Sequence, residues 1–104
     1  MNWEHIKLVH NDAYNEFIEW GILETEVDTE PIEEAPFMIY SGMLMQFFDE
    51  KGIKILIKDC YSYSLRVYDK LYDCDTKFGA IDECLDAAYV KSFYILDNSK
   101  KIEL

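Results

Sequence analysis

The sequence predicts an α+β fold, a two-layer sandwich in which an N-terminal and a C-terminal helix cover one face of an antiparallel sheet of three to four strands. Two patterns predict it: apolar residues recur at helical spacing near both ends of the chain and alternate with polar residues in its second half. Half of the 104 residues are hydrophobic, which is enough to build a core. We therefore expect a single domain over residues 1–104.

The first helix is predicted from apolar positions between residues 3 and 20, which follow one helical face. Asn2 can cap its start, and Gly21 can end it in a left-handed conformation. The pattern also allows a break near His10, with Asn11 beginning a second, shorter helix.

Acidic residues crowd the next part of the chain. The stretch ETEVDTEPIEE, residues 24–34, begins with carboxylates at every second position, which favours an extended segment with its acids on one side. Pro31 and Pro36 restrict this segment to an edge strand or a long loop. Charged residues at a sheet edge also resist unwanted strand pairing, which is a structural reason for the same acids.

The sheet is predicted from three consecutive segments. FMIYSGMLMQFF, residues 37–48, is almost wholly apolar, and we expect one or two buried strands there with a bend at Gly42. DEKG, residues 49–52, is the predicted hairpin connection to IKILIKDC, residues 53–60. YSYSLRVYDKLY, residues 61–72, repeats the alternation, so the three segments are expected to form an antiparallel meander.

The closing helix is predicted from apolar residues at helical spacing between Phe78 and Ile95. Asp75 or Thr76 is its expected cap, and the DNS triplet at residues 97–99 is its expected end. The core residues expected to join this helix to the sheet are Ile55, Ile57, Leu65, Val67, Ile81 and Leu85.

The charge of the chain is unevenly distributed. Residues 8–50 contain eleven acids and no Lys or Arg, whereas acids and bases balance in residues 1–7 and 51–104, so the whole net charge of −11 lies in residues 8–50. No base in this span relieves its carboxylates. The asymmetry predicts one acidic face that binds a basic partner. The residues assigned to this face are Glu16, Glu19, Glu24, Glu26, Asp28, Glu30, Glu33 and Glu34.

The histidines, cysteines and acidic residues lack the sequence spacings that are typical of metal sites. His5 and His10 are five residues apart, so one helix does not place them on one face, and no His-x-x-x-His or Cys-x-x-Cys pair occurs. The acidic stretch does not fit a calcium loop, because Glu33 stands at the place of the required Gly when Asp28 is taken as first ligand. We expect no metal and no cofactor. The cysteines, expected to be reduced and buried, are Cys60, Cys74 and Cys84.

Other functions are disfavoured by what the sequence contains. No Gly-rich phosphate loop or nucleophile elbow occurs, so we expect a protein that is not an enzyme. Direct nucleic-acid binding requires Lys and Arg, but Arg66 is the single arginine and the excess charge is negative. No apolar run approaches the roughly 20 residues that cross a bilayer. We expect a cytoplasmic monomer or homodimer without membrane contact.

The spacing of the acids suggests a partner. Alternate carboxylates on a strand stand about 6.6 Å apart, from a rise of about 3.3 Å per residue. Successive phosphates of a nucleic-acid strand advance by about 3.4 Å along the axis and have comparable spacing. The acidic face is therefore predicted to imitate nucleic acid and to block a basic, nucleic-acid-binding surface of a larger protein.

The layout of the chain from MLMQFFDEKGIKILIKDC to the closing AIDECLDAAYVKSFYIL resembles that of small acidic proteins of phages and mobile elements. The resemblance covers about the C-terminal two-thirds of the chain and carries no functional motif. It implies an anti-CRISPR-like or other anti-defence inhibitor acting in the host bacterial cytoplasm. An immunity or antitoxin protein that neutralises a toxin nuclease fits the same profile, and a small enzyme or metal-binding protein is a further alternative.

Overall fold

In the computed structural model, which describes residues 1–25, 35–58, 61–74 and 76–102, helices precede and follow a sheet built from hairpins and cover one of its faces. This arrangement confirms the predicted α+β class with N- and C-terminal helices. The elements in chain order are α1 (Trp3–Val9), α2 (Asn11–Thr25), α3 (Phe37–Glu50), β1 (Ile53–Lys58), β2 (Ser62–Val67), β3 (Lys70–Asp73) and α4 (Ile81–Ile102).

The three described strands form an antiparallel meander in the order β1-β2-β3. Ile55 lies opposite Leu65, and Leu65 lies opposite Tyr72, so these residues share one face of the sheet. Helices α3 and α4 contact this face through β1 and β2, and α2 packs on both of them from the other side. The core therefore lies between the sheet and the helices, with aromatic side chains continuing between the helices themselves.

The segment at residues 37–48 is helical, so the prediction of buried strands there is wrong. Its buried residues recur at intervals of three and four, which is the spacing of one helical face. They are Tyr40, Ser41, Leu44, Phe47 and Phe48. Periodicity could not decide the question because the run is apolar on every side, but its Met, Leu and Gln residues favour a helix over a strand.

One tight turn replaces a predicted connection, and a second divides a predicted strand. Asp49 and Glu50 belong to α3, so only Lys51 and Gly52 join this helix to β1, and the predicted DEKG hairpin is wrong. Gly52 has a φ of +84°, and a Cβ there would stand 2.7 Å from the ring of Tyr68. The predicted strand at residues 61–72 is likewise divided by a turn at Tyr68, whose φ of +58° is rare for a residue other than glycine.

The N-terminal helix breaks at His10, which is the alternative that the sequence allowed. The second helix has 15 residues and the first has 7, so the expectation of a shorter second helix is wrong. The N-terminal cap of α1 is confirmed, because the side chain of Asn2 accepts a hydrogen bond from the backbone N–H of His5. Helix α2 does not end at Gly21, however, but continues to Thr25. Gly21 is buried within this helix, so the predicted left-handed cap there is wrong.

The closing helix is displaced toward the C-terminus relative to its predicted limits. It begins at Ile81, beyond the expected caps at residues 75–76, because Phe78 lies in the preceding connection and stacks on Tyr63 with ring centroids 6.3 Å apart. It continues through the predicted stop at residues 97–99. The carboxylate of Asp97 turns into the protein instead of competing for its own helix backbone.

The centre of the molecule is aromatic. Leu65 and Leu85 are buried as predicted, and Ile55 and Val67 are partly buried against the same core. Ile57 and Ile81 are exposed, so their predicted place in the core is wrong; Ile57 lies near the end of β1 and Ile81 is the first residue of α4. The largest fully buried side chains are Tyr89, Phe17, Phe47, Phe48, Phe93, Ile6, Leu44 and Leu65.

Buried phenols connect α3 to α4. The hydroxyl of Tyr40 donates to the carboxylate of Asp86 at 2.7 Å, and the hydroxyl of Tyr89 donates to the carbonyl of Ser41 at 3.0 Å. Burial raises the pKa of Tyr40, and the Asp86 carboxylate raises it further. Burial likewise raises the pKa of Tyr89, and it raises the pKa of Tyr63 to about 12.

These phenols predict alkaline unfolding. A tyrosine in the unfolded chain ionises near pH ~10, whereas Tyr63 in the folded protein does so at about 12. The stabilisation is therefore complete below pH ~10 and is lost as the pH rises through this interval. We expect circular dichroism and phenolate absorbance to report coincident unfolding above pH ~10, at a higher pH in Tyr63→Phe. Complete phenol ionisation with the helical signal intact would contradict this expectation.

Candidate functional site

One side of α2 carries three of the acids that dominate the charge of the chain: Asp12, Glu16 and Glu19, the α2 acidic face. Their spacing of four and three residues brings them onto one side of the helix, with about 5.4 Å between successive turns along the axis. Asp12 and Glu19 are exposed, and Glu16 is half-buried. The structure therefore brings together Glu16 and Glu19, two of the residues that the sequence assigned to partner binding.

A lysine from outside the acidic span reaches this face. Lys51 lies in the turn after α3, and its Nζ stands 2.8 Å from Oε1 of Glu16. Next to this pair, the indole N–H of Trp20 donates to Glu50 at 2.9 Å. The expectation that no base relieves Glu16 is wrong, because folding brings the first lysine beyond the span back to α2. Glu16 joins α2 to α3, and Asp12 and Glu19 are the exposed acids of the face.

The remaining predicted partner-binding acids lie at or beyond the end of α2. Glu24 stands in its last turn, so the expectation that Glu24 begins an extended row is wrong. Helix formation continues because Ile22, Leu23 and Glu24 are compatible with it and no cap residue intervenes. Glu26, Asp28, Glu30, Glu33 and Glu34 lie outside the described residues, and their assignment to partner binding stays a prediction.

A buried histidine and aspartate meet where α1 gives way to α2. Nδ1 of His10 lies 4.0 Å from Oδ2 of Asp97, and Oδ1 of Asp97 accepts the backbone N–H of Ala13 at 3.3 Å. Asp97 thus performs from α4 the task of a helix cap, at the positive end of the α2 dipole. The break between α1 and α2 also places the ring centroids of His5 and His10 5.6 Å apart, contrary to the expectation for one continuous helix. The burial of both His10 and Asp97 favours a structural role for the pair.

The described cysteines are Cys74 and Cys84, both free thiols. Cys84 is fully buried in the cluster between β2 and α4, which confirms its predicted role as a small hydrophobic residue. Burial raises the pKa of its thiol and so keeps it in the unreactive protonated form. Cys74 is half-buried, and Cys60 lies outside the described residues.

The face of the sheet that points away from the helices is basic and partly apolar. It carries Lys54, Lys58 and Arg66, the basic sheet face, together with the exposed side chain of Leu56. Asp73 is the acid beside it, and Lys58 donates to its carboxylate at 3.3 Å. A hydrogen bond from Ser64 and then the lysine lower the pKa of Asp73. The α2 acidic face and the basic sheet face therefore belong to different layers of the fold.

An open groove runs between α3 and β1. Its volume is about 420 Å³, and apolar side chains from both elements line it, with Asp49 at one end. The lining residues are Gly42, Met45, Gln46, Asp49, Ile53, Lys54, Ile55 and Leu56. Sequence reasoning missed this groove because it assigned residues 37–48 to the sheet. The signal that identifies it is the helical spacing of the exposed Met38, Gly42 and Gln46, which marks an outward side of α3.

Comparisons with protein-family models, curated proteins and solved structures gave no match. Within residues 1–25, 35–58, 61–74 and 76–102, no helix combines the length and apolarity needed to cross a bilayer. The same part of the chain holds no cluster of three or more His, Cys, Asp or Glu side chains placed to bind a metal ion. The candidate sites are therefore surfaces: the α2 acidic face, the basic sheet face and the groove.

Proposed function

We propose that the protein is a non-enzymatic inhibitor that binds and blocks a basic, nucleic-acid-binding surface of a larger protein. The observation that carries the proposal is the α2 acidic face, which leads along the chain directly into the acids of residues 24–34. Asp12 and Glu19 are exposed there on a rigid helix. The whole net charge of −11 arises in the span that contains them.

The physical basis is electrostatic complementarity. A protein surface that binds nucleic acid is rich in Lys and Arg and gains affinity by releasing the counterions around phosphates. A dense array of carboxylates on a folded protein offers that surface the same kind of anion. Long-range attraction then accelerates association, and rates of steered encounters fall as salt is raised. The described acids can act in this way without catalysis.

The partner that fits this chemistry is a nucleic-acid-handling effector of a bacterial defence system, in the manner of an anti-CRISPR protein. Inhibition would take place in the cytoplasm of the host cell. The protein would bind as a monomer or homodimer and would not itself contact nucleic acid, because its acidic surface repels phosphates.

Charge reversal tests the proposal. We expect Glu19→Lys/Glu24→Lys/Glu26→Lys to lose most of the basic nucleic-acid-binding protein that the immobilised wild type captures from a bacterial lysate. Salt and double-stranded DNA should release this protein from the wild type, since all compete for the same cations. Glu16 is left unchanged because it pairs with Lys51. Thermal melts should show that the variant remains folded.

A matched control reverses three exposed acids away from α2: Asp69→Lys/Asp82→Lys/Glu83→Lys. It changes the net charge by the same amount but leaves the local field at α2 intact. Asp86 is unsuitable for this control because it accepts the hydrogen bond of Tyr40. Equal capture by both variants, or a captured protein that DNA does not displace, would show that the acids do not imitate nucleic acid.

A further inference from the structure

One edge of strand β1 is not paired with any strand of the described residues. In the described part of the chain its one strand neighbour is β2. The backbone N–H of Tyr68 donates to the carbonyl of Gly52 at 3.2 Å, which makes these two residues a hydrogen-bonded pair. Because bonding direction alternates along an antiparallel ladder, the N–H and C=O groups of Ile53, Ile55 and Ile57 point away from β2.

The α3–β1 groove lies along this strand and provides space for another one. A six-residue strand such as β1 is about 20 Å long, and the fourteen-residue helix α3 has a similar length of about 21 Å. Nothing lies within 4 Å of a Cβ built on Gly42, so the missing side chain leaves the helix wall of the groove open. Met38, on the same side of α3, is 85% exposed.

We propose that this groove binds an extended segment of a partner protein, in which apolar and acidic residues alternate, as an additional strand on β1. The backbone of the segment would pair with Ile53, Ile55 and Ile57. Alternate side chains of a strand point to opposite faces of the sheet. One set would therefore lie against the apolar wall formed by α3, near Met45, and the other beside the basic sheet face.

Charge complementarity selects the acidic residues. Lys54 and Lys58 stand two positions to either side of Leu56 on the outer face of β1, where they would flank the outward side chains of an added strand. Like charges opposite them would be unfavourable. The excess negative charge of the chain arises in residues 8–50, and salt at physiological strength screens most of it over about 8 Å. Asp49 of this span lines the groove on the α3 side, so the apolar side chains of the segment are placed against α3 and its acidic side chains on the outer face, beside Lys54 and Lys58.

A second copy of this chain fits the edge less well. Pairing β1 with β1 would place Lys54 and Lys58 of both copies on the same side of one joined sheet, where lysines act against edge-to-edge association. Each copy also carries a net charge of −11. A partner segment with carboxylates at these positions removes the first conflict. It adds an ion pair to Lys54, whereas Lys58 already pairs with Asp73.

Peptide binding measured by fluorescence anisotropy tests the proposal. We expect the labelled peptide Thr-Val-Glu-Val-Glu-Val-Thr, about as long as β1, to bind, and the same peptide with Lys in place of Glu to bind about tenfold more weakly. A version N-methylated on the amides that face β1 should not bind, because strand addition depends on main-chain hydrogen bonds. Equal binding of the Glu and Lys peptides, or no loss on N-methylation, would overturn the proposal.

Variants of the protein locate the site. Gly42→Phe should fill the groove and abolish peptide binding. Asn15→Phe introduces the same side chain at an exposed position of α2 and should leave peptide binding unchanged. Ile57→Pro removes a backbone N–H that points away from β2, so it should abolish peptide binding. Proline is tolerated at an edge strand in this orientation, so the variant should remain folded. Ile57→Ala, which keeps that N–H, should retain binding. Peptide binding that survives both Gly42→Phe and Ile57→Pro would show that the peptide binds elsewhere. A dimer that Ile57→Pro dissociates would show that a second copy of this chain occupies the edge.

Discussion

Phe93→Ala should lower the free energy of unfolding by about 3–5 kcal/mol, the range for truncating a buried phenylalanine. Phe93 lies on α4 and is fully buried. Its ring centroid is 6.4 Å from Trp3, 6.2 Å from Phe17 and 4.9 Å from Phe48. One side chain therefore contacts α1, α2 and α3, and its removal leaves a cavity that no single helix can close by moving.

The neighbouring Tyr94 gives a matched control, because its side chain is 46% exposed. We expect Tyr94→Ala to cost about 1 kcal/mol or less. Chemical denaturation monitored by circular dichroism measures both changes. In a domain of this size, a loss of 3–5 kcal/mol lowers Tm by more than about 12 °C. Equal stability of the two variants would contradict an aromatic centre shared by all four described helices.

Asp97→Ala should have the second largest effect, a loss of about 2–3 kcal/mol. The carboxylate is buried, accepts the N–H of Ala13 and lies beside His10. Its removal deprives a buried backbone donor of this acceptor, and desolvated donors are costly. Asp97→Asn should cost less, since the amide oxygen can still accept from Ala13 but carries no charge at the α2 N-terminus.

Asp69→Ala is the control for this prediction, because Asp69 is an exposed residue of a turn. We expect it to change stability by about 0.5 kcal/mol or less. Urea denaturation of the three variants gives the comparison. If Asp97→Ala were as stable as Asp69→Ala, the carboxylate would not be holding the start of α2 to α4.

The sequence predicted most reliably what depends on local alternation and charge. Strands β1 and β2 and the body of α4 follow from period-two and helical patterns, and the charge asymmetry follows from composition. Helix α3 could not be recognised from periodicity, because a run that is apolar on all sides has the pattern of a buried helix and of a buried strand; only its Met, Leu and Gln content favours the helix. The length of α4 could not be predicted either. An aspartate is usually unfavourable inside a helix, and the backbone N–H of Ala13, which Asp97 accepts, is distant in sequence.

The candidate site depended on the same distinction. Glu16 and Glu19 were assigned to the acidic face from the charge asymmetry of the chain, but the ion pair between Glu16 and Lys51 is a consequence of how α2 packs on α3. The groove could not be predicted, because it lies between β1 and a helix that the sequence analysis had assigned to strands. Gly42 was predicted as a bend between strands, but it lies within α3, where its missing side chain leaves space beside the groove.

The contact between Asp97 and Ala13 also has a consequence for synthesis on the ribosome. The two residues are 84 positions apart, so α2 leaves the ribosome long before the side chain that caps it. At about 5–20 residues per second, the delay is roughly 4–17 s. Throughout that time the aromatic side of α2, with Phe17 and Trp20, has no α4 to pack against. The nascent chain is therefore expected to be a chaperone substrate until translation reaches α4.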